Sequence, residues 1–114
     1  MDIFERIVSA SKNTPRGFVD LEGLDSGDAP RVYFTEVSID DMESVKRKHG
    51  EFLGSGNFEA MLEMIIRKCE HEDGSKVFTL EHKVHLRKHL KPLIAAKIYH
   101  AIMEGPSVED HVKN

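Results

Sequence analysis

Residues 58–69 constrain the chain most. Phe58, Met61, Leu62, Ile65, Ile66 and Cys69 recur at i, i+3, i+4, i+7, i+8 and i+11, while Glu59, Glu63, Arg67 and Lys68 lie largely off that stripe. Such spacing predicts an amphipathic helix, half buried, with its apolar face against other elements. Asn57 is placed to cap it, and Asp73-Gly74 marks the turn beyond its end. The helix cannot bury its stripe alone, so the rest of the chain must supply the cover.

The segments around it are of the right kind. Ile3, Phe4, Ile7 and Val8 share one face of a short helix over 2–12, with Asp2 as N-cap and Asn13 and Pro15 at its end. Phe18 to Glu22 is β-compatible. Arg31 to Val37 alternates, with Val32 and Phe34 on one face and Tyr33 and Thr35 on the other. Between them, Gly23 to Pro30 is turn-rich, so residues 17–37 predict a β-hairpin with a long loop. A lone hairpin is marginal in water and needs helical cover. From Ser38 the chain reads as helical. A capped helix carries Ile39, Met42 and Val45 and stops at Gly50, and Gly54-Ser-Gly56 links it to the central helix. Another helix starts at Thr79 and reaches about Lys91. Pro92 then breaks the helix and opens a final one, which stops at Gly105-Pro106. The expected fold class is α+β: a hairpin near the front, then a helical body of about four helices over 38–104 and a flexible tail over 105–114. At 114 residues this is one domain.

Charge and motifs narrow the function. Sixteen Lys and Arg against twenty Asp and Glu give a net charge of −4, which argues against a dedicated nucleic-acid binder. No apolar run approaches the roughly 20 residues that cross a bilayer. The stretch MDIFERIVSASK lacks the basic-then-apolar layout of a signal peptide, and the single Cys69 cannot form an internal disulfide, so a reducing cytosol is the simplest compartment. There is no phosphate loop, nucleophile elbow, dinucleotide fingerprint or HExxH. Gly54-Ser-Gly56 lacks the Lys-Ser/Thr that would follow in a phosphate loop. Cys69 lies on the apolar stripe and reads as a core residue. The expectation is no catalytic site, no cofactor and no metal.

Three features compete for a role. His82, His85 and His89 share one helix face and would hold a zinc or nickel ion only if an outside ligand completed the shell; Lys83, Arg87, Lys88 and Lys91 on the same helix repel a cation. Those four cations form a basic face. Five Lys or Arg and no acid lie between His82 and Met103. The face suits an acidic partner, or simply solvent, better than nucleic acid, because no aromatic side chain is interleaved to stack on bases. A small nucleic-acid-associated regulator or adaptor using the 82–97 helix is the alternative reading. The final helix is apolar nearly all round. Part of Leu93, Ile94, Ile98, Tyr99 and Ile102 is therefore a candidate contact with a partner or a second copy, against the plain reading that the helix is the centre of the core.

The order of elements carries a resemblance. Val19-Asp-Leu21 and a turn lead to Arg31-Val-Tyr-Phe-Thr-Glu-Val37, then to the strand-to-helix step Ser38-Ile-Asp-Asp41. An amphipathic helix follows, ending in Cys69-Glu-His-Glu-Asp-Gly-Ser-Lys-Val-Phe-Thr79, and then Leu90 to Met103. Over residues 18–103 this resembles the tail assembly chaperones of siphophages and related prophages, departing from their pattern at Leu24, where an aromatic residue is expected. The resemblance implies a non-enzymatic protein of the host bacterial cytoplasm. It would bind the tape-measure protein before the tail tube forms and help recruit tail tube subunits.

Overall fold

The structure is a computed structural model and describes residues 2–54 and 56–106. Asp2 Oδ1 accepts the Glu5 N–H at 2.8 Å and opens helix α1 (Ile3–Asn13). Two short strands, β1 (Gly17–Asp20) and β2 (Arg31–Phe34), pair antiparallel, with Gly17 opposite Phe34 and Val19 opposite Val32. The alternation expected of the second strand holds at Val32 and Phe34, which are buried, and the first strand alternates too, with Val19 and Leu21 buried. Gly17 is glycine for a reason of space. A Cβ there would fall inside contact distance of the Phe34 ring, which lies across it. Gly17→Ala should therefore cost roughly 1–3 kcal/mol by forcing Phe34 off its site. A urea titration would measure it, and a loss no larger than that of an exposed strand substitution would refute the packing argument.

Ser38 opens α2 (Ile39–His49) with a reciprocal cap. Ser38 Oγ accepts from Asp41 N, and Asp41 Oδ2 accepts from Ser38 N at 2.9 Å. This turns Asp41 inward and leaves Ile39 83% exposed, so Ile39 does not join Val45 and the half-buried Met42 on the apolar stripe. Gly50 ends α2 at φ 80°, and Asn57 caps α3 (Phe58–Lys68) through the Ala60 N–H.

Helix α3 is the centre of the molecule. It packs on α2 and on α5 (Pro92–Glu104), and β1 also packs on α5. Ala60, Met64, Ile65 and Cys69 are fully buried. Burial also extends beyond one stripe: Glu63 and Lys68, expected to lie outside it, are buried too, because neighbours enclose α3 on more than one side. Phe58, at its first turn, is 67% exposed instead.

Past α3 the chain doubles back onto the sheet. Tyr33 and Glu70 exchange both backbone hydrogen bonds, at 2.9 and 2.8 Å, and Glu70 also pairs with Lys76 around the Asp73-Gly74 turn. Arg16 clasps this turn, donating to the His71 and Glu72 carbonyls while its guanidinium lies 4.7 Å from the Tyr33 ring centroid. The helix expected from Thr79 to Lys91 is a 3₁₀ turn over Leu80–His82 followed by α4 (Lys83–His89). Lys91 is extended, as the following proline demands, and Pro92 is the first residue of α5. Thus an α+β fold with one hairpin and four helices in its body is what forms, with α1 ahead of the hairpin. The tail expected over 105–114 lies, from residue 107 on, outside the described residues.

Candidate partner-binding surfaces

The five apolar residues singled out on α5 do not form one surface. Ile98 and Ile102 are 1% and 0% exposed and belong to the core, packed with Met64, Ile65 and Phe34. Ile94 and Tyr99 are half buried at its margin, and burial pushes the Tyr99 hydroxyl up from its ordinary pKa. Leu93 alone points fully outward, at 85% exposure. The apolar excess of α5 is thus mostly used in covering α3 and β1, and what it leaves facing outward is Leu93 with the edges of Ile94 and Tyr99.

On α4 the basic face is partly answered from within. Arg87 Nη2 meets Glu59 Oε2 at 2.9 Å, and Lys83 Nζ stands 3.5 Å from Glu63 Oε1. Two α3 carboxylates one helical turn apart thereby meet two α4 cations one turn apart. Lys88 and Lys91 are exposed, with no carboxylate partner among the described residues. The three histidines line one open pocket of about 370 Å³ together with Val77, Phe78 and Leu86. His82 Nδ1 accepts the Thr79 N–H at 3.1 Å, while the His85 and His89 rings stack on each other with centroids 6.5 Å apart. Among the described residues no group of three or more His, Cys, Asp or Glu is placed to hold a metal ion. Cys69 is buried, and desolvation pushes its thiol pKa up to about 12, which makes it inert as a nucleophile.

Two carboxylates, Asp41 and the Glu63 already met, are held in buried ion pairs that organise the body. Asp41 meets Arg67 Nε at 2.6 Å and Lys68 Nζ at 2.9 Å, and Lys68 also donates to Thr35 Oγ1 and the Glu36 carbonyl. Desolvation pushes the Asp41 carboxyl up, but the Ser38 N–H, Arg67 and Lys68 outweigh it and hold its pKa far below the ordinary range. Glu63 is likewise lowered. Burial raises it, and His49 at 3.1 Å with Lys48 and Lys83 more than compensates. All of these side chains are committed to one another, so they bind α2, α3, α4 and the β2 end together rather than wait for a ligand.

What remains open to a partner is apolar. Helix α1 buries none of its residues, and Ile3, Phe4 and Ile7 are 64–75% exposed. The chain could in principle have packed α1 on the body; it does not. A second feature is a groove of about 230 Å³ between α3 and the α4–α5 corner. Phe58, Met61 and Leu62 form one wall and Leu86, Leu90 and Ala95 the other. Sequence reasoning missed this groove because its walls come from three elements. The one available signal was Phe58, a large apolar residue at the first position of a helix. No helix among the described residues is long and apolar enough to cross a membrane.

No protein-family model matches the sequence, and no curated protein matches it. Among solved structures, the chain is similar to that of the bacteriophage HK97 tail assembly chaperone, at 15% identity and a TM-score of 0.50, covering 90% of this chain and 93% of that one. The fold of this chain is therefore that of a phage tail assembly chaperone.

Proposed function

We propose that this protein is a non-enzymatic tail assembly chaperone, acting in the host bacterial cytoplasm, which binds the tape-measure protein and helps recruit tail tube subunits. The observation that carries this reading is the likeness in fold to the HK97 tail assembly chaperone, which runs over nearly the full length of both chains. The surface is consistent with it. A chaperone of an aggregation-prone helical client needs apolar surface of its own, with charge around it for solubility. This chain leaves Ile3, Phe4, Phe58 and Leu93 exposed on a body whose formal charge is −4. Leu93, with the outer edges of Ile94 and Tyr99, remains part of the proposed contact; Ile98 and Ile102 do not.

Co-expression with a candidate phage tape-measure protein tests the proposal. The expected result is a soluble complex that co-purifies, where the tape-measure protein alone is insoluble. A tape-measure protein equally insoluble with and without this chain would sink the reading.

A further inference from the structure

Helix α4 is held on α3 by one face. Arg87 meets Glu59 and Lys83 meets Glu63, so the two helices run antiparallel. On α4, Lys83, Leu86 and Arg87, with Leu90 at the C-cap, recur at i, i+3, i+4 and i+7. On α3, Glu59, Leu62, Glu63 and Ile66 recur at the same spacing. Each cation of α4 has an acid to match it, and each leucine an apolar residue. The α3 face is thus an acidic and apolar seat, and α4 fills it with the complementary order.

The filling is loose. Residues 79–91 include no buried side chain; Lys83, Leu86 and Leu90 are only half buried. On the α3 side, Leu62, Glu63 and Ile66 are 6–8% exposed, and neither Leu62 nor Ile66 belongs to the main core. The groove of about 230 Å³ stays open where Leu86 and Leu90 face Leu62, and the histidine pocket opens along another side of α4. Seven residues make too short a helix to persist alone. The Arg87–Glu59 pair is exposed on both sides, so solvent weakens it. When Lys83 leaves, Glu63 keeps His49 at 3.1 Å and Lys48 at 3.9 Å, so no buried charge is stranded. Both ends are irregular: a 3₁₀ turn precedes Lys83, and Leu90 and Lys91 are extended ahead of Pro92.

We propose that residues 79–91 are a strap that opens ahead of the body, and that the α3 face beneath it is a docking site for a basic amphipathic helix of the client. The occupant is read from α4 itself: two cations four residues apart, each followed three residues on by a leucine. Glu59 and Glu63 supply the answering charge. The client's being a tail protein rests on the chaperone reading; the chemistry of the docked helix rests on this face.

Hydrogen exchange on the full chain tests the strap. The Leu90 amide, bonded to the Leu86 carbonyl, reports α4, and the Cys69 amide, bonded to Ile65, reports α3. Protection at Leu90 should be at least about a hundredfold lower than at Cys69. It should fall about threefold further when salt is raised from about 0.05 M to about 0.5 M, as the ion pairs are screened. Equal protection of the two amides overturns the strap. Two labelled synthetic helical peptides test the dock by fluorescence anisotropy. Both carry the leucines of α4, one with Lys at the charged positions and one with Glu. The Lys peptide should bind Lys83→Ala/Arg87→Ala at least about tenfold tighter than wild type, because α4 no longer competes for the seat. Adding Glu59→Gln should weaken that binding about threefold or more, and the Glu peptide should not bind. Cys69 should keep its protection in the double variant to within about tenfold, which shows the body still folded. Equal affinity of wild type and double variant, or of the two peptides, overturns the docking site. So does a double variant that ignores the peptide and dimerises, since the face would then serve a second copy. The two proposals fail separately. If the double variant matches wild type in exchange and peptide binding while wild type solubilises the tape-measure protein, the strap falls and the chaperone reading stands. If wild type does not solubilise it, the chaperone reading falls, and exchange and peptides still judge the strap.

Discussion

Asp41→Ala should be among the most damaging single substitutions in this protein, lowering its stability by about 3–5 kcal/mol. The cost comes from what the change strands. Lys68 is 8% exposed, and its ammonium would keep the neutral partners Thr35 Oγ1 and the Glu36 carbonyl but lose its counter-charge. A buried charge without an answering one is far more expensive than a missing attraction. The same substitution removes the acceptor for the Ser38 N–H and frees Arg67 Nε at the α2–α3 junction. Small domains are stable by only about 5–15 kcal/mol, so a loss of this size is a large share of the total. Chemical denaturation would measure it. The mechanism has its own check: Lys68→Met in the Asp41→Ala background should recover most of the loss, because the stranded charge is gone. If the double variant is as unstable as the sum of two independent losses, the buried-charge account is wrong. By contrast, the exposed pair of Asp20 and Arg31, at 2.8 Å, should matter little to stability, because solvent screens it.

Acid should act through the same carboxylates. Asp41 and Glu63 both have folded pKa values below their ordinary ones, so each binds its proton more weakly in the folded chain than in the unfolded one. The stability they contribute is full above the unfolded carboxyl values, about 3.9–4.3. It is lost progressively as pH falls below that range toward the folded values. The wild type should therefore unfold more easily below about pH 4, and Asp41→Ala should show a shallower dependence there. Parallel acid titrations of the two proteins would separate them; identical slopes would mean that other carboxylates carry the acid sensitivity.

Much of the local structure is readable from the sequence because it is written in short-range chemistry. The caps at Asp2 and Asn57, the break at Pro92 and the alternation through Val32 and Phe34 each depend on neighbours within a few residues, and each is where it was expected; the cap of α2, open between Ser38 and Asp40 from sequence, is Ser38. What escaped depends on long-range placement. The stripe on α3 marks one buried face, but enclosure by α2 and α5 buries Glu63 and Lys68 as well, and nothing local announces that. Ile39 looked like a core residue by spacing; the side-chain cap of Asp41 rotates the inner face of α2 away from it. The pairing of Tyr33 with Glu70 joins segments far apart in the chain. The groove is harder still, since Phe58, Leu86 and Ala95 meet only once α3, α4 and α5 have packed. The five α5 candidates show the same limit. Their apolar character was plain, but which of them faces the core is decided by the positions of α3 and β1.

That division can be tested at two positions of α5 five residues apart. Ile98 is 1% exposed and packs in the same core as Met64, Ile65 and Phe34, so Ile98→Ala should remove three buried carbons and leave a cavity that the surrounding helices only partly fill. The expected cost is roughly 2–5 kcal/mol of fold stability. The upper part of that range applies if α3 and α5, both regular helices held at their ends by caps and by Pro92, cannot close the gap. Leu93 lies on the first turn of the same helix and is 85% exposed, so Leu93→Ala should change stability by no more than about 0.5 kcal/mol. Partner binding should respond in the opposite order. Leu93→Ala should weaken capture of the tape-measure protein while leaving the melting curve in place. Ile98→Ala, studied at a temperature where the variant is still folded, should bind as the wild type does. Both measurements are needed, because a destabilised variant also binds less partner simply by being less folded. If Ile98→Ala leaves stability untouched and abolishes association, the core assignment of α5 is wrong and the whole apolar circumference of that helix returns as the contact surface.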